Sequence, residues 1–284
     1  MSRFRVDEGL LWSLRGVAFL AGTIVVFVVA FVGWEASAAL RSVGLSRFVT
    51  DPSWYPSEGL YSVLPMLVGT VLVTAGAVLT ATPLGIMAAI FCNHYAPAFV
   101  ARPYRRMIEL MSGIPSVVYG FWGLVTLVPL IAQVEPPGTS LLAGIMILTV
   151  MILPTVTLFA DSSIGRVSEE YTRGAAALGL TRWATVCHVV LPAARPGIVA
   201  GVFLATARAI GETMAVLMVC GNVVKTPGSL FDPVRTLTAN IALEMAYAMG
   251  DHRSALFVTG LVLFLLIVAL VWGAELAGEG RARG

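Results

Sequence analysis

The sequence predicts an all-α integral membrane protein: six transmembrane helices, with both chain ends on the cytoplasmic side. Three observations lead to that fold. Of 284 residues, 58% are hydrophobic and 12% charged, about half of the roughly 25% charge found in soluble domains. Mean hydropathy is +0.88, and the apolar residues gather into runs long enough to cross a bilayer. The arginines, finally, divide unequally between the connections on the two sides. This composition excludes a disordered chain, a basic nucleic-acid-binding arm and a small disulfide scaffold.

About 20 apolar residues at a rise of about 1.5 Å each cross the hydrocarbon core. The first such run is Gly16 to Trp34, and the second is Met66 to Phe91 within the uncharged stretch Gly59 to Ala101. Leu110 to Ile131 gives the third, Leu141 to Ala160 the fourth and Ala255 to Ala274 the sixth. The fifth, Gly197 to Gly221, has the same length but contains Arg208 and Glu212. Pro83, Pro115 and Pro154 fall within or beside these runs, where they either kink the helices or are accommodated by neighbouring ones.

With the N-terminus inside, 12 arginines lie on the cytoplasmic side and 5 basic residues on the outside, Arg208 remaining within a span. That excess follows the positive-inside rule, and the reverse orientation breaks it. Residues 1–15 then form a cytoplasmic N-terminus, 16–275 the six-span domain and 276–284 a cytoplasmic tail. Ala36-Ser37-Ala38 resembles a signal-peptidase site, but the preceding run exceeds the ~7–15 residues of a signal segment, which favours an uncleaved first span. Glu35 to about Pro65 and Asn222 to Ser254 are the longer outer loops, and Ala132 to Ser140 is a tight outer turn.

The cytoplasmic stretch 161–196 is itself patterned. Ser168 before Glu169 and Glu170 is an N-cap with acids in the first turn. Good helix formers follow to Leu178, Gly179 ends that helix, and Thr181 caps a second from Arg182 to Val190. A short helix bearing Ala175-Ala176-Ala177 before a glycine turn suits either docking of another protein or packing against its own bundle.

Arg208 and Glu212 sit near the middle of the fifth run. A central charge costs about 2.5–3.5 kcal/mol on insertion scales and commonly marks a bundle interior or aqueous path. Their i,i+4 spacing places both on one face of a continuous helix, either as a buried ion pair or as a polar station for a solute. A guanidinium fork matches tetrahedral oxyanions. A neighbouring carboxylate repels an anion unless the anion brings a proton, which monohydrogen phosphate does and sulfate does not.

Several strings carry a family resemblance. Arg173-Gly174-Ala175-Ala176-Ala177-Leu178-Gly179, followed after nine residues by Val189-Val190-Leu191-Pro192, resembles the coupling loop of ABC importer permeases, with Arg173 where glutamate is usual. Ala207-Arg208-Ala209-Ile210-Gly211-Glu212-Thr213-Met214-Ala215-Val216, with Gly221-Asn222, resembles the fifth span of phosphate ABC importer permeases, PstC-type subunits in particular. Gly113-Ile114-Pro115-Ser116-Val117-Val118-Tyr119-Gly120 and Ile152-Leu153-Pro154-Thr155 add further matches.

The resemblance implies a type I ABC importer permease architecture with a cytoplasmic coupling-helix loop. It implies a pore shared with a PstA-like subunit, two PstB-like ATPases, a PstS-like binding protein and inorganic phosphate as cargo, within membrane lipid and without nucleic acid. Carried onto this chain, Arg208 and Glu212 become substrate-path residues, and Ala175, Ala176, Leu178 and Gly179 contact the ATPase. Ser116, Tyr119 and Thr213 either line the cavity or serve in packing and internal hydrogen bonds.

ATP and Mg belong to the separate ATPase, because the only lysine, Lys225, lies outside any glycine-rich phosphate loop. No cofactor is expected here: Cys92, Cys187, Cys220, His94, His188 and His252 are too scattered for a disulfide framework or a metal centre. The expected location is a prokaryotic cell membrane. Two other readings stay open: a permease for another oxyanion such as molybdate, and an intramembrane enzyme or sensor using Arg208 and Glu212 as an acid–base pair.

Overall fold

The structure, a computed structural model, describes residues 2–279, with side-chain surroundings from Leu10 to Gly273; Arg281 and Arg283 lie outside the described residues. The chain opens with α1 (Ser2–Ser42), a short α2 (Arg47–Thr50) and a small antiparallel hairpin, β1 (Trp54–Tyr55) and β2 (Leu60–Tyr61), in which Trp54 faces Tyr61. Then come α3 (Leu64–Ile90), α4 (Ala98–Ser112), α5 (Ser116–Trp122), α6 (Val128–Ala132) and α7 (Leu141–Gly165). The second half contains α8 (Glu169–Ala177), α9 (Arg182–Thr185), α10 (Leu191–Ile210), α11 (Met214–Val219), α12 (Leu237–Glu244) and α13 (Gly250–Glu279). Wide π-helical turns at Phe91–Tyr95, Gly123–Leu127 and Val186–Val190 prolong or join these helices.

Five helices are long and apolar enough to cross a membrane, at residues 10–42, 64–95, 141–165, 182–210 and 250–273. Counted as one span, the bent pair of Ala98–Ser112 and Ser116–Ala132 brings the number to six. The first helix runs straight through Ala36-Ser37-Ala38, and Ala36 is fully buried against the hairpin and α13. The would-be cleavage segment is therefore packed helix.

Three expectations on the spans change. The third does not run unbroken from Leu110 to Ile131: α4 and α5 meet at 96° across Gly113-Ile114-Pro115, so Leu110 belongs to the helix before the bend. Proline disfavours helical geometry in the residue before it, which here places the turn at Ile114. Pro83 and Pro154 lie inside unbroken α3 and α7, so Pro115 alone of the three marks a break. The connection 161–196 is also shorter than read, because α7 extends to Gly165 and the helix leading into α10 starts at Arg182.

The fifth span is the largest change. Instead of one helix from Gly197 to Gly221, α10 stops at Ile210 and α11 starts at Met214. Arg208 and Glu212 therefore do not share a face of one continuous helix. Gly211 costs about 1 kcal/mol relative to alanine inside a helix. The carboxylate of Glu212 then offers the new helix a cap that a continuous helix has no use for.

The bundle is centred on α3 and α7, with α10 against both and α5 and α11 on one flank. Small residues set the spacing: a Cβ on Gly85 meets Val156 Cγ1 at 2.8 Å, and one on Gly144 meets Cys220 Sγ at 2.5 Å. The antiparallel pair of α1 and α13 packs at the periphery, joined by Phe31 and Phe257 edge to face at 5.8 Å and by Ser42 donating to Asp251 at 3.1 Å.

Candidate translocation path and coupling surface

Two helix breaks meet beside the central bundle. The Gly113–Pro115 break starts α5, the Gly211–Thr213 break starts α11, and α5 packs on α11. The approach is close because Gly120 has no side chain: a Cβ there lies 2.8 Å from Ala215 Cα. Breaks expose unpaired backbone groups in an apolar setting, so each needs partners. Tyr119, buried on α5, donates its phenol to the Met111 carbonyl at 2.8 Å, satisfying the end of α4. Glu212 Oε1 accepts the Ala215 N–H at 3.0 Å, and the Glu212 carbonyl accepts the Thr238 hydroxyl at 2.7 Å. Thr213, half-buried, donates to the Gly211 carbonyl at 3.3 Å.

Arg208 stands on the last turn of α10, half-buried, facing α7. Its Nη1 donates to the Thr155 hydroxyl at 3.5 Å, and its charge lies within electrostatic range of Tyr119. Among the described residues Arg208 forms no ion pair, with Glu212 or any other carboxylate. The structure thus gathers Arg208, Tyr119, Glu212 and Thr213 around one junction. Ser116 starts α5 beside them, half-buried. A cavity of about 500 Å³ between α3 and α10, toward the α8 side and lined by Thr82, Arg195 and Val202 among others, does not include these residues.

Two polar partners of the junction carried no signal as site residues in the sequence. Thr155 and Thr238 sit two residues from other threonines, Thr157 and Thr236, in apolar or mixed segments, and only their contacts distinguish them. A second polar group is hidden for the same reason. On the α12 side Glu244, 7% exposed, accepts from Arg235 at 2.6 Å and from Trp54 Nε1 at 2.8 Å, with His252 Nε2 at 2.9 Å. On the α8 side Arg105 grips Asp161 at 3.0 Å, and Asn93 joins both.

The α8 surface is built as its sequence suggests. Ser168 Oγ accepts the Glu170 N–H at 3.3 Å and Thr181 Oγ1 the Ala184 N–H at 3.2 Å. The Leu180 N–H reaches the Ala175 carbonyl and the Gly179 N–H the Ala176 carbonyl, while Gly179 takes φ +74°. This is a Schellman close, for which glycine is the favoured residue. Ala175 is buried at 4% exposure, so its side chain packs inward; Ala176 and Gly179 are exposed and Leu178 is 81% exposed. Arg173, in the position where glutamate was expected, pairs with Glu169 at 2.6 Å on the solvent face.

A bundle of five to six apolar crossings, broken at its centre around an unpaired arginine and carrying a short exposed helix on one side, defines a polytopic permease subunit. Residues 81–277 match the family described as binding-protein-dependent transport system inner membrane component, and the chain belongs to that family. It is similar to the probable ABC transporter permease protein YqgH of Bacillus subtilis, 41% identical over 253 residues, covering 87% of this chain and 82% of that one. It is 38% identical to the phosphate transport system permease protein PstC of Mesorhizobium japonicum, covering 82% and 77% respectively. Among solved structures, a bacterial ABC transporter involved in the import of alginate superposes with a TM-score of 0.67 at 14% identity, over 98% of this chain and 99% of that one. The MetNI methionine ABC transporter in an inward-facing conformation gives 0.59 at 19% identity, over 77% and 93%. The fold is that of ABC importer permeases, and the chain is a permease subunit rather than an enzyme.

Proposed function

We propose that this chain is the PstC-type half of the pore in an ATP-driven importer of inorganic phosphate. The observation that carries the proposal is Arg208: a cation inside the apolar bundle, held, among the described residues, by one long hydrogen bond to Thr155 and by no carboxylate. A charge so placed is costly unless an anion compensates it, and a guanidinium fork presents paired donors to a tetrahedral oxyanion. The resemblance to PstC-named relatives supports the same cargo.

In this reading Arg208 meets the anion while Glu212, one oxygen of which caps α11, uses the other to accept the proton of monohydrogen phosphate. Tyr119 pins the α4–α5 break, and Ser116 and Thr213 border the path. The α8 side faces the cytoplasm of a prokaryote, as do both chain ends. There Ala176, Leu178 and Gly179 seat on a PstB-like ATPase, one of two, which holds ATP and Mg; Ala175 supports that surface from within. A PstA-like subunit completes the pore and a PstS-like protein delivers phosphate from outside. ATP-driven closure of the ATPase pair moves α8, and transport follows because the two pore states bind these partners unequally.

The guanidinium fork also suits molybdate, and that second reading differs only in what Glu212 does. The acid–base reading is the weaker one, since Arg208 and Glu212 form no ion pair among the described residues. The test is phosphate uptake by the reconstituted complex with Arg208 changed to lysine and to glutamine. Losing a charged hydrogen-bond partner costs about 1.5–3 kcal/mol, so Arg208→Gln slows uptake by about 10- to 100-fold, and Arg208→Lys falls between. Uptake at full rate with Arg208→Gln overturns the proposal.

A further inference from the structure

Away from the path, the peripheral pair of α1 and α13 encloses a second cavity with a different chemistry. It measures about 230 Å³ and is closed at one end by α12. Val28 and Val32 of α1, Ile241 of α12, and Leu256, Phe257 and Gly260 of α13 are among its walls, all apolar. Water is disfavoured in such a space. Hydrocarbon is the solvent outside it, because α1 and α13 present Phe27, Val25, Leu265 and Val268 outward along the same stretch.

The height of the cavity is fixed by its surroundings. Trp34, 78% exposed, is two residues beyond Val32 on α1, and exposed Tyr247 follows α12. Exposed tryptophan and tyrosine gather at the level of lipid headgroups. Arg253 stands at that level, three and four residues before Leu256 and Phe257, about 5–6 Å along the helix axis. Its guanidinium lies 6.0 Å from the centre of the Phe257 ring, which forms the cavity wall. Arg253 is exposed and makes no ion pair among the described residues. The nearby carboxylate of Asp251 accepts instead from Ser42.

We infer that this is a phospholipid site: an acyl chain enters the cavity between α1, α12 and α13, and an anionic headgroup phosphate rests on Arg253. The guanidinium matches the phosphodiester in two-pronged fashion. A zwitterionic headgroup brings its own ammonium to compete for that phosphate, so the site prefers a net-negative lipid. The occupant comes from the leaflet on the α12 side.

The experiment uses the intact transporter complex, washed in detergent and exposed to equal amounts of isotopically labelled phosphatidylglycerol and phosphatidylcholine, with bound lipid counted by mass spectrometry. Wild type retains phosphatidylglycerol over phosphatidylcholine by about fivefold, the scale of one basic residue near a membrane surface. Arg253→Gln keeps one lipid per chain but loses the preference. Gly260→Leu fills the cavity and loses the lipid. A Cβ at Gly260 meets only Ile241 Cδ1, at 3.8 Å, so the backbone accommodates the change. Equal retention and equal preference in wild type and both variants overturns the site. So does a Gly260→Leu chain that keeps its lipid but separates from the second pore subunit, which makes the cavity the seat of a partner helix. Arg253→Gln, an exposed substitution, decides the question even if the filled cavity misfolds.

Discussion

Glu212 carries two duties that substitution separates. Its Oε1 caps α11 through Ala215, a bond that glutamine retains and alanine removes. Glu212→Ala therefore costs about 1 kcal/mol of stability, the worth of a helix cap, read as a lower melting temperature in detergent. Glu212→Gln melts as wild type, yet it supplies both a donor and an acceptor where the carboxylate only accepts. Exclusion of sulfate then weakens while phosphate uptake continues; unchanged exclusion with intact uptake removes Glu212 from selectivity. The two charges were legible in the sequence because ionised groups are rare in an apolar run of that length. Their relation was not, because Gly211 looks like any of the other glycines and the cap at Ala215 depends on where the helix has already stopped. Tyr119 is a similar case: the family resemblance left it either lining the path or in an internal hydrogen bond, and only the bond to Met111 assigns it to the break. At the contact between the two breaks, Gly120→Ala drives a methyl to 2.8 Å from Ala215 Cα. Overpacking of this kind costs about 1–3 kcal/mol, again read by thermal unfolding.

At the scale of the element, α8 was almost wholly legible. Its caps, its glycine stop and its second start are local chemistry, and local chemistry is written in consecutive residues. Which face it turns outward was not, since Ala175 and Ala176 are identical letters and only packing buries the first. Two changes divide stability from docking. Gly174 has open space around its Cβ position, so Gly174→Ala stabilises α8 by about 1 kcal/mol without touching a neighbour. Leu178→Glu leaves the fold alone, because the side chain is exposed, and abolishes co-purification with the ATPase subunit; an undiminished complex removes Leu178 from the interface. The loop before α12 gives a pH-dependent counterpart. Asp232 accepts the N–H groups of Gly228 and Ser229 at 2.7 and 3.1 Å, and Lys225 stands 3.7 Å away. The Gly228 amide first, then Ser229 and Lys225, hold its carboxyl below the usual carboxylate value. A carboxyl with a lowered folded pKa stabilises at pH above its unfolded value of about 3.9, and that contribution is lost as pH falls through the folded one. The protection factor of the Gly228 amide, its exchange rate divided into the intrinsic rate at each pH, thus holds at neutral pH and falls only once pH drops below the unfolded carboxyl value of about 3.9.

Over the whole molecule, hydropathy found the order of the crossings, but it could not see what joins the peripheral pair to the central bundle. Beside the direct packing of α10 on α13, the polar joint is Glu244, buried and hydrogen-bonded to three elements at once. Trp54 brings the hairpin, His252 brings α13, and Arg235 brings the strand-like segment before α12. The Arg235 carbonyl in turn sits against Gly69 of α3, where a Cβ is 2.7 Å from it. No two of these residues are close enough in sequence for a pattern to reveal them, which is why the cluster surfaced only in three dimensions. Removing one member of a buried ion pair strands the other, at about 3–5 kcal/mol, so Glu244→Ala lowers the melting temperature sharply and opens the hairpin to protease. Replacing both charges with apolar side chains avoids the stranded cation, and such replacements are often neutral. The double variant Arg235→Met with Glu244→Leu therefore recovers much of the stability lost by Glu244→Ala. If Glu244→Ala instead melts at the wild-type temperature, the peripheral pair is held by its apolar packing alone. A double variant as unstable as the single one locates the joint in the hydrogen bonds to Trp54 and His252 rather than in the charge pair.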